Sequence, residues 1–82
     1  MEAIPLNKLR AGESGIVLTE KKINPRLRDL GLIEGTEVTC LYHSPLKDPS
    51  AYEIRGAVVA LRAEDCAHVI VERRRGKGEA SK

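Results

Sequence analysis

Apolar residues in this chain come in short bursts separated by glycine, proline and charge, the pattern of brief strands joined by tight turns. The clearest burst covers residues 36–43. Val38, Cys40 and Tyr42 fall on one face of an extended chain, and Thr39, Leu41 and His43 on the other. Both faces are partly apolar, which predicts a strand covered on both sides. Residues 15–20 read as an earlier strand, with Val17 between Ile16 and Leu18. Residues 51–55 and 57–61 read as two strands around Arg55 and Gly56. Residues 68–72 read as the last, with Val69 and Val71 on one face and Ile70 on the other. Leu6 and Leu9 predict a first turn that docks on one end of this β structure.

One segment breaks the period of two. Asn24 can accept a backbone N–H bond as a helix cap, and Pro25 suits the first helical position. Leu27 and Leu30 then share a face, and Gly31 supplies the left-handed residue that stops the helix. Leu32 follows where such a stop places an apolar contact, and Gly35 turns the chain into the next strand. Residues 63–67 predict one more helical turn, with Glu64 and Asp65 near its start. Residues 44–50 hold Pro45, Pro49 and Asp48 and read as a loop. The expected fold is mainly β: a small, partly open barrel of about five strands with one or two short helices.

At 82 residues the chain is one domain with a modest core. Phe and Trp are absent, so Val, Leu, Ile and Ala must fill that core around Tyr42 and Tyr52. Charge divides the chain. Residues 73–82 hold five basic side chains against Glu79, whereas the first 72 residues hold nine basic and eleven acidic ones. A folded domain is therefore expected over residues 1–72, with a basic, disordered tail over 73–82. The slightly acidic body argues against specific nucleic-acid binding, which needs a clustered basic face. Cys40 and Cys66 are too few for a disulfide framework. The start of the chain has no apolar leader core, and no run approaches the ~18 apolar residues of a membrane span. These features predict a cytoplasmic protein.

Candidate chemistry is sparse. Cys40 with His43, and Cys66 with His68, have spacings that transition metals use, but a structural zinc site wants four ligands. Strand alternation also sends Cys40 and His43 to opposite faces, leaving Cys40 as a small core hydrophobe. The Cys66–His68 pair lacks an orienting third group, and no glycine-rich phosphate loop is present, so no enzyme is expected. The apolar tip of the 44–50 loop and the short helix are the better binding features.

The segment from Arg26 to Val38 reads R-L-x-x-L-G-L-x-x-G-x-x-V, which resembles the first half of the FeoA family, the ferrous iron transport protein A. Ser44-Pro45-Leu46-Lys47-Asp48-Pro49 is similar to that family's Pro-Leu-Gly-Asp-Pro turn, with Lys47 where members usually carry glycine. Tyr52-Glu53-Ile54-Arg55-Gly56, Val59 to Arg62 and Glu64 to Ala67 are similar to its closing hairpin and final helix. The likeness runs from residue 4 to 72. It implies an SH3-like barrel and a non-enzymatic accessory module acting on the cytoplasmic side of a FeoB-type ferrous iron permease. The contact surface so implied is Pro45, Leu46, Lys47, Asp48 and Pro49 with Arg26, Leu27 and Leu30. No cofactor is firmly implied; Fe2+ or another divalent transition metal would bind weakly, with His43, His68, Cys40 and Cys66 as candidates. The alternative is a stand-alone metal-responsive domain resembling the C-terminal SH3-like domain of metal-dependent repressors, with His43, His68 or Asp48 as ligand. An RNA role would rest on the basic tail alone.

Overall fold

The computed structural model describes residues 2–20, 25–44 and 48–74. In chain order these form β1 (Ala3–Pro5), a 3-10 helix (Leu6–Lys8), β2 (Ser14–Glu20), α1 (Pro25–Asp29), β3 (Glu37–His43), β4 (Ser50–Ile54), β5 (Ala57–Leu61), α2 (Ala63–Cys66) and β6 (Val69–Arg74). One antiparallel sheet carries all six strands in the order β1-β6-β2-β3-β4-β5. The sheet is not closed, so β1 and β5 are its two edges. The expected count of about five strands is corrected to six, and the expected barrel to an open, curled sheet. The missing strand was β1, three residues long and ending in Pro5; too short to show a period, it is defined by pairing Ile4 with Val71 across to β6.

Two one-residue bulges set which side chains face inward. In β2 the pairing steps from Val17↔Val71 to Thr19↔Ile70, leaving Leu18 as the extra residue, and in β3 it steps from Cys40↔Tyr52 to Tyr42↔Ala51, leaving Leu41 extra. A bulge resets the alternation by one position. Val38 and Cys40 therefore point into the core as expected, but Tyr42 turns outward and is 60% exposed. His43 turns back toward the inside. The expectation that Cys40 and His43 lie on opposite faces is overturned by this one added residue.

The core is built from Leu6 and Leu9 of the first turn, Val17, Val38, Ile54, Val69 and Val71 of the sheet, and Leu27 and Leu32 around α1. Tyr52 is its one aromatic member. The β4–β5 hairpin turns on Arg55 (φ 53°) and Gly56 (φ 84°), the two left-handed residues a type I′ connection requires. At the far side, β6 continues two residues past the expected end at Glu72. Gly15↔Arg73 and Ser14↔Arg74 extend the ladder, and the Arg73 N–H donates to the Glu2 carbonyl at 2.8 Å. The Arg73 guanidinium lies 3.5 Å from Glu2 and 3.7 Å from Glu13, so its charge is matched within the sheet. The rest of the expected tail, residues 75–82, lies outside the described residues. Among the described residues no helix is long and apolar enough to cross a membrane.

Candidate functional site

Helix α1 is short because its stop is strong. The Leu32 N–H donates to the Leu27 carbonyl at 3.0 Å and the Gly31 N–H to that of Arg28 at 2.9 Å, the paired bonds of a Schellman stop. Gly31 sits at φ +109°, and a Cβ placed there would come within 2.7 Å of the Arg55 side chain. This close approach holds the end of α1 against the β4–β5 turn. Leu27 and Leu32 are buried, and Leu30 is 43% exposed. Leu30 lines a groove of about 300 Å³ between α1 and the β5–α2 corner, shared with Arg26, Val59, Leu61, Arg62 and Asp65. Of the expected helix contacts, Arg26 and Leu30 thus reach a surface, whereas Leu27 is a core residue.

The two described flanks of the loop after β3 are joined to each other and to α2. The Asp48 N–H donates to the Ser44 hydroxyl at 2.9 Å, and the Asp48 carboxylate accepts from the Ala63 N–H at 2.9 Å. Arg62, which precedes α2, offers no side-chain cap of its own. Asp48 supplies it from 15 positions away and satisfies one of the first N–H groups of α2. Asp48 and Pro49 are exposed, while Pro45, Leu46 and Lys47 lie outside the described residues.

Beside this loop is a cavity of about 480 Å³ lined by Asn7, Leu9, His43, Ser50, Tyr52 and Cys66 among others. His43 spans it. Its Nε2–H donates to the Leu9 carbonyl at 2.9 Å, which leaves Nδ1 to accept from the Ser50 hydroxyl. The Cys40 Sγ lies 3.7 Å from the same Nε2. Burial raises the Cys40 thiol above its ordinary pKa, with Glu13 adding to the effect. Burial pushes the Cys66 thiol up to about 11, against a lowering by the neighbouring Tyr52 hydroxyl. Tyr52 is raised far above the phenol range, first by burial and then by Cys66. Among the described residues its buried hydroxyl has no hydrogen-bond partner.

Both thiols are therefore neutral at pH 7 and poor nucleophiles. A metal ion at the Cys40–His43 pair would have to displace the Leu9 carbonyl from Nε2 and deprotonate a buried thiol. His68 is exposed and does not line this cavity. Among the described residues, no three of His, Cys, Asp and Glu come together in a way that could hold a metal. Sequence reasoning missed Leu9, Ser50 and Tyr52 as the partners of His43 and Cys66. Only Tyr52, a lone aromatic in an apolar strand, carried any signal.

A family model described as FeoA domain matches residues 4–73. The chain is 30% identical over 70 residues to a Porphyromonas gingivalis (strain ATCC BAA-308 / W83) protein named Fe(2+) transport protein A/Fe(2+) transporter FeoB fusion protein. That match covers 82% of this chain and only 8% of the relative. The solved structure of Stenotrophomonas maltophilia FeoA in complex with zinc, described as a prokaryotic SH3 domain protein, superposes with a TM-score of 0.74 at 25% identity, covering 85% of this chain and 94% of that one. A manganese-dependent transcriptional repressor superposes with a TM-score of 0.78 at 18% identity, over 90% of this chain and 42% of that one, a likeness of fold.

Proposed function

Because the chain belongs to the FeoA family, we propose that it is a cytoplasmic accessory module of ferrous iron transport, acting by protein contact on a FeoB-type permease. The observation that carries this reading is the relative in which a segment 30% identical to this chain shares one polypeptide with FeoB. Covalent linkage keeps two modules at an effective concentration of roughly millimolar. Action by contact also requires a surface on the module itself. The surface we assign is Arg26 on α1 and Leu30 just past its end, together with the loop Pro45, Leu46, Lys47, Asp48 and Pro49. Leu30 is an apolar side chain left exposed beside a groove. Interfaces bury apolar side chains at their centre within a polar rim.

The test is a titration of 15N-labelled protein with the cytoplasmic domain of a FeoB-type permease. Shifts confined to α1 and residues 44–50 support the reading; an unchanged spectrum at high partner concentration overturns it. The second reading, a metal-responsive domain, is favoured by the repressor-like fold. It would use the Cys40–His43 pair, the only expected metal residues the described structure brings within bonding range of each other. Titration with Fe2+ or Zn2+ that leaves the His43 ring signals unmoved removes it.

A further inference from the structure

The two edges of the sheet are built differently. β1 is three residues long and ends in Pro5, a short strand that cannot template much pairing. β5, Ala57-Val58-Val59-Ala60-Leu61, has no charge and no proline, and pairs with β4 in unbroken register from Ile54↔Ala57 to Ser50↔Leu61. Charge, proline and bulges are devices that blunt an edge, and β5 has none of the three. The two-residue turn makes Ile54 and Ala57 a hydrogen-bonded pair, so Ala57, Val59 and Leu61 spend their backbone groups on β4. The N–H and C=O groups of Val58 and Ala60 then point out of the sheet. Among the described residues no other segment takes them up in a backbone hydrogen bond. The Val58 side chain is 69% exposed.

We infer that β5 is a docking edge, to which an extended apolar peptide segment with acidic flanks adds as a seventh strand. The choice of occupant comes from charge. Arg55 precedes the strand and Arg62 follows it, both exposed, and Arg26 lines the groove beside Val59 and Leu61. Glu53 lies opposite Val58 on β4 and Asp65 lines the groove with Arg26, but the edge itself carries no acid between Arg55 and Arg62. A second copy fits poorly. Antiparallel pairing of two β5 strands about Val59 would place Arg62 of each copy beside the Arg55–Gly56 turn of the other, like against like at both ends. The segments of this chain outside the described residues carry Lys21, Lys22, Lys47, Arg75, Lys77 and Lys82 against Glu79, basic on balance like the edge itself. The inference deepens the interaction-module reading and rests on it only for which protein carries the segment.

Amide hydrogen exchange on the full 15N-labelled chain tests it, with the blocked peptide Asp-Glu-Val-Thr-Val-Thr-Val-Glu-Asp as probe. The peptide slows exchange at Val58 and Ala60 by about tenfold or more and leaves the already bonded Val59 and Leu61 unchanged. Salt weakens the protection, and a peptide with lysines in place of the acids gives none. Val58→Pro, which removes one outward N–H and no bond to β4, abolishes it; Val58→Lys weakens it should the proline variant fail to fold. Equal binding of the lysine peptide, or shifts only around residues 44–50, overturns the inference. So does protection at Val58 and Ala60 that rises with protein concentration alone, which would mark a second copy. Binding of the permease domain with no change at Val58 and Ala60 overturns this inference and spares the proposed function; peptide protection without permease binding does the reverse.

Discussion

The Asp48 carboxylate accepts a hydrogen bond from the Ala63 N–H at 2.9 Å and so fastens the loop after β3 to the start of α2. A residue proposed for the partner surface is thus also a clasp within the fold. Asp48→Ala removes the side-chain cap of α2 and should cost about 1 kcal/mol, read as a lower urea midpoint at unchanged m. Asp48→Asn keeps an acceptor and should recover most of that loss.

Leu27 in α1 and Leu30 just past its end separate stability from binding. Leu27→Ala opens the core and should cost about 2–4 kcal/mol in urea unfolding. Leu30→Asp alters an exposed position and should stay within about 0.5 kcal/mol of the parent. It should nevertheless weaken the permease contact about tenfold or more, measured by titration.

Gly31 carries two separable costs. Gly31→Ala forces a side chain onto φ +109° and into the Arg55 methylenes, and should destabilise by about 2 kcal/mol or more. In an Arg55→Ala background the steric part disappears and the backbone part of about 1 kcal/mol stays. A double-mutant cycle in urea measures the difference directly. An additive cycle would mean that Arg55 does not press on the helix stop.

The buried thiols give the fold an alkaline limit. Cys66 is raised from 9.0 to about 11 in the folded state. Below pH 9 the thiol is protonated in both states and stability is full. Between pH 9 and 11 the unfolded chain releases a proton that the folded chain retains, so stability falls, by on the order of 2–3 kcal/mol from this group. Cys40 is raised in the same direction. Cys66→Ala should flatten the decline of the urea midpoint over that window.

Legibility followed local chemistry. The stop of α1, with its glycine at 31 and apolar follower at 32, was readable because each residue type has one backbone reason to be there. The β4–β5 hairpin was readable for the same reason. The bulges at Leu18 and Leu41 were not, since an inserted residue looks like any other member of an alternating run until its partner strand is known. That single ambiguity misplaced Tyr42 and separated Cys40 from His43. Arg73 and Arg74 looked like the start of a tail because their charge was visible, while the glutamates that balance Arg73 were far away in the chain. The capping role of exposed Asp48 was not legible because its partner, the Ala63 N–H, is a backbone group that any residue could have supplied.

The pairing of Ala3 with Glu72 across β1 and β6 brings the two ends of the folded unit to within one strand spacing, about 5 Å. A polypeptide can thus enter and leave this domain at nearly the same point. Joining the ends with a few residues and reopening the chain elsewhere should give a circular permutant with the same sheet. The same geometry lets the unit be spliced onto another protein at either end without stretching a strand.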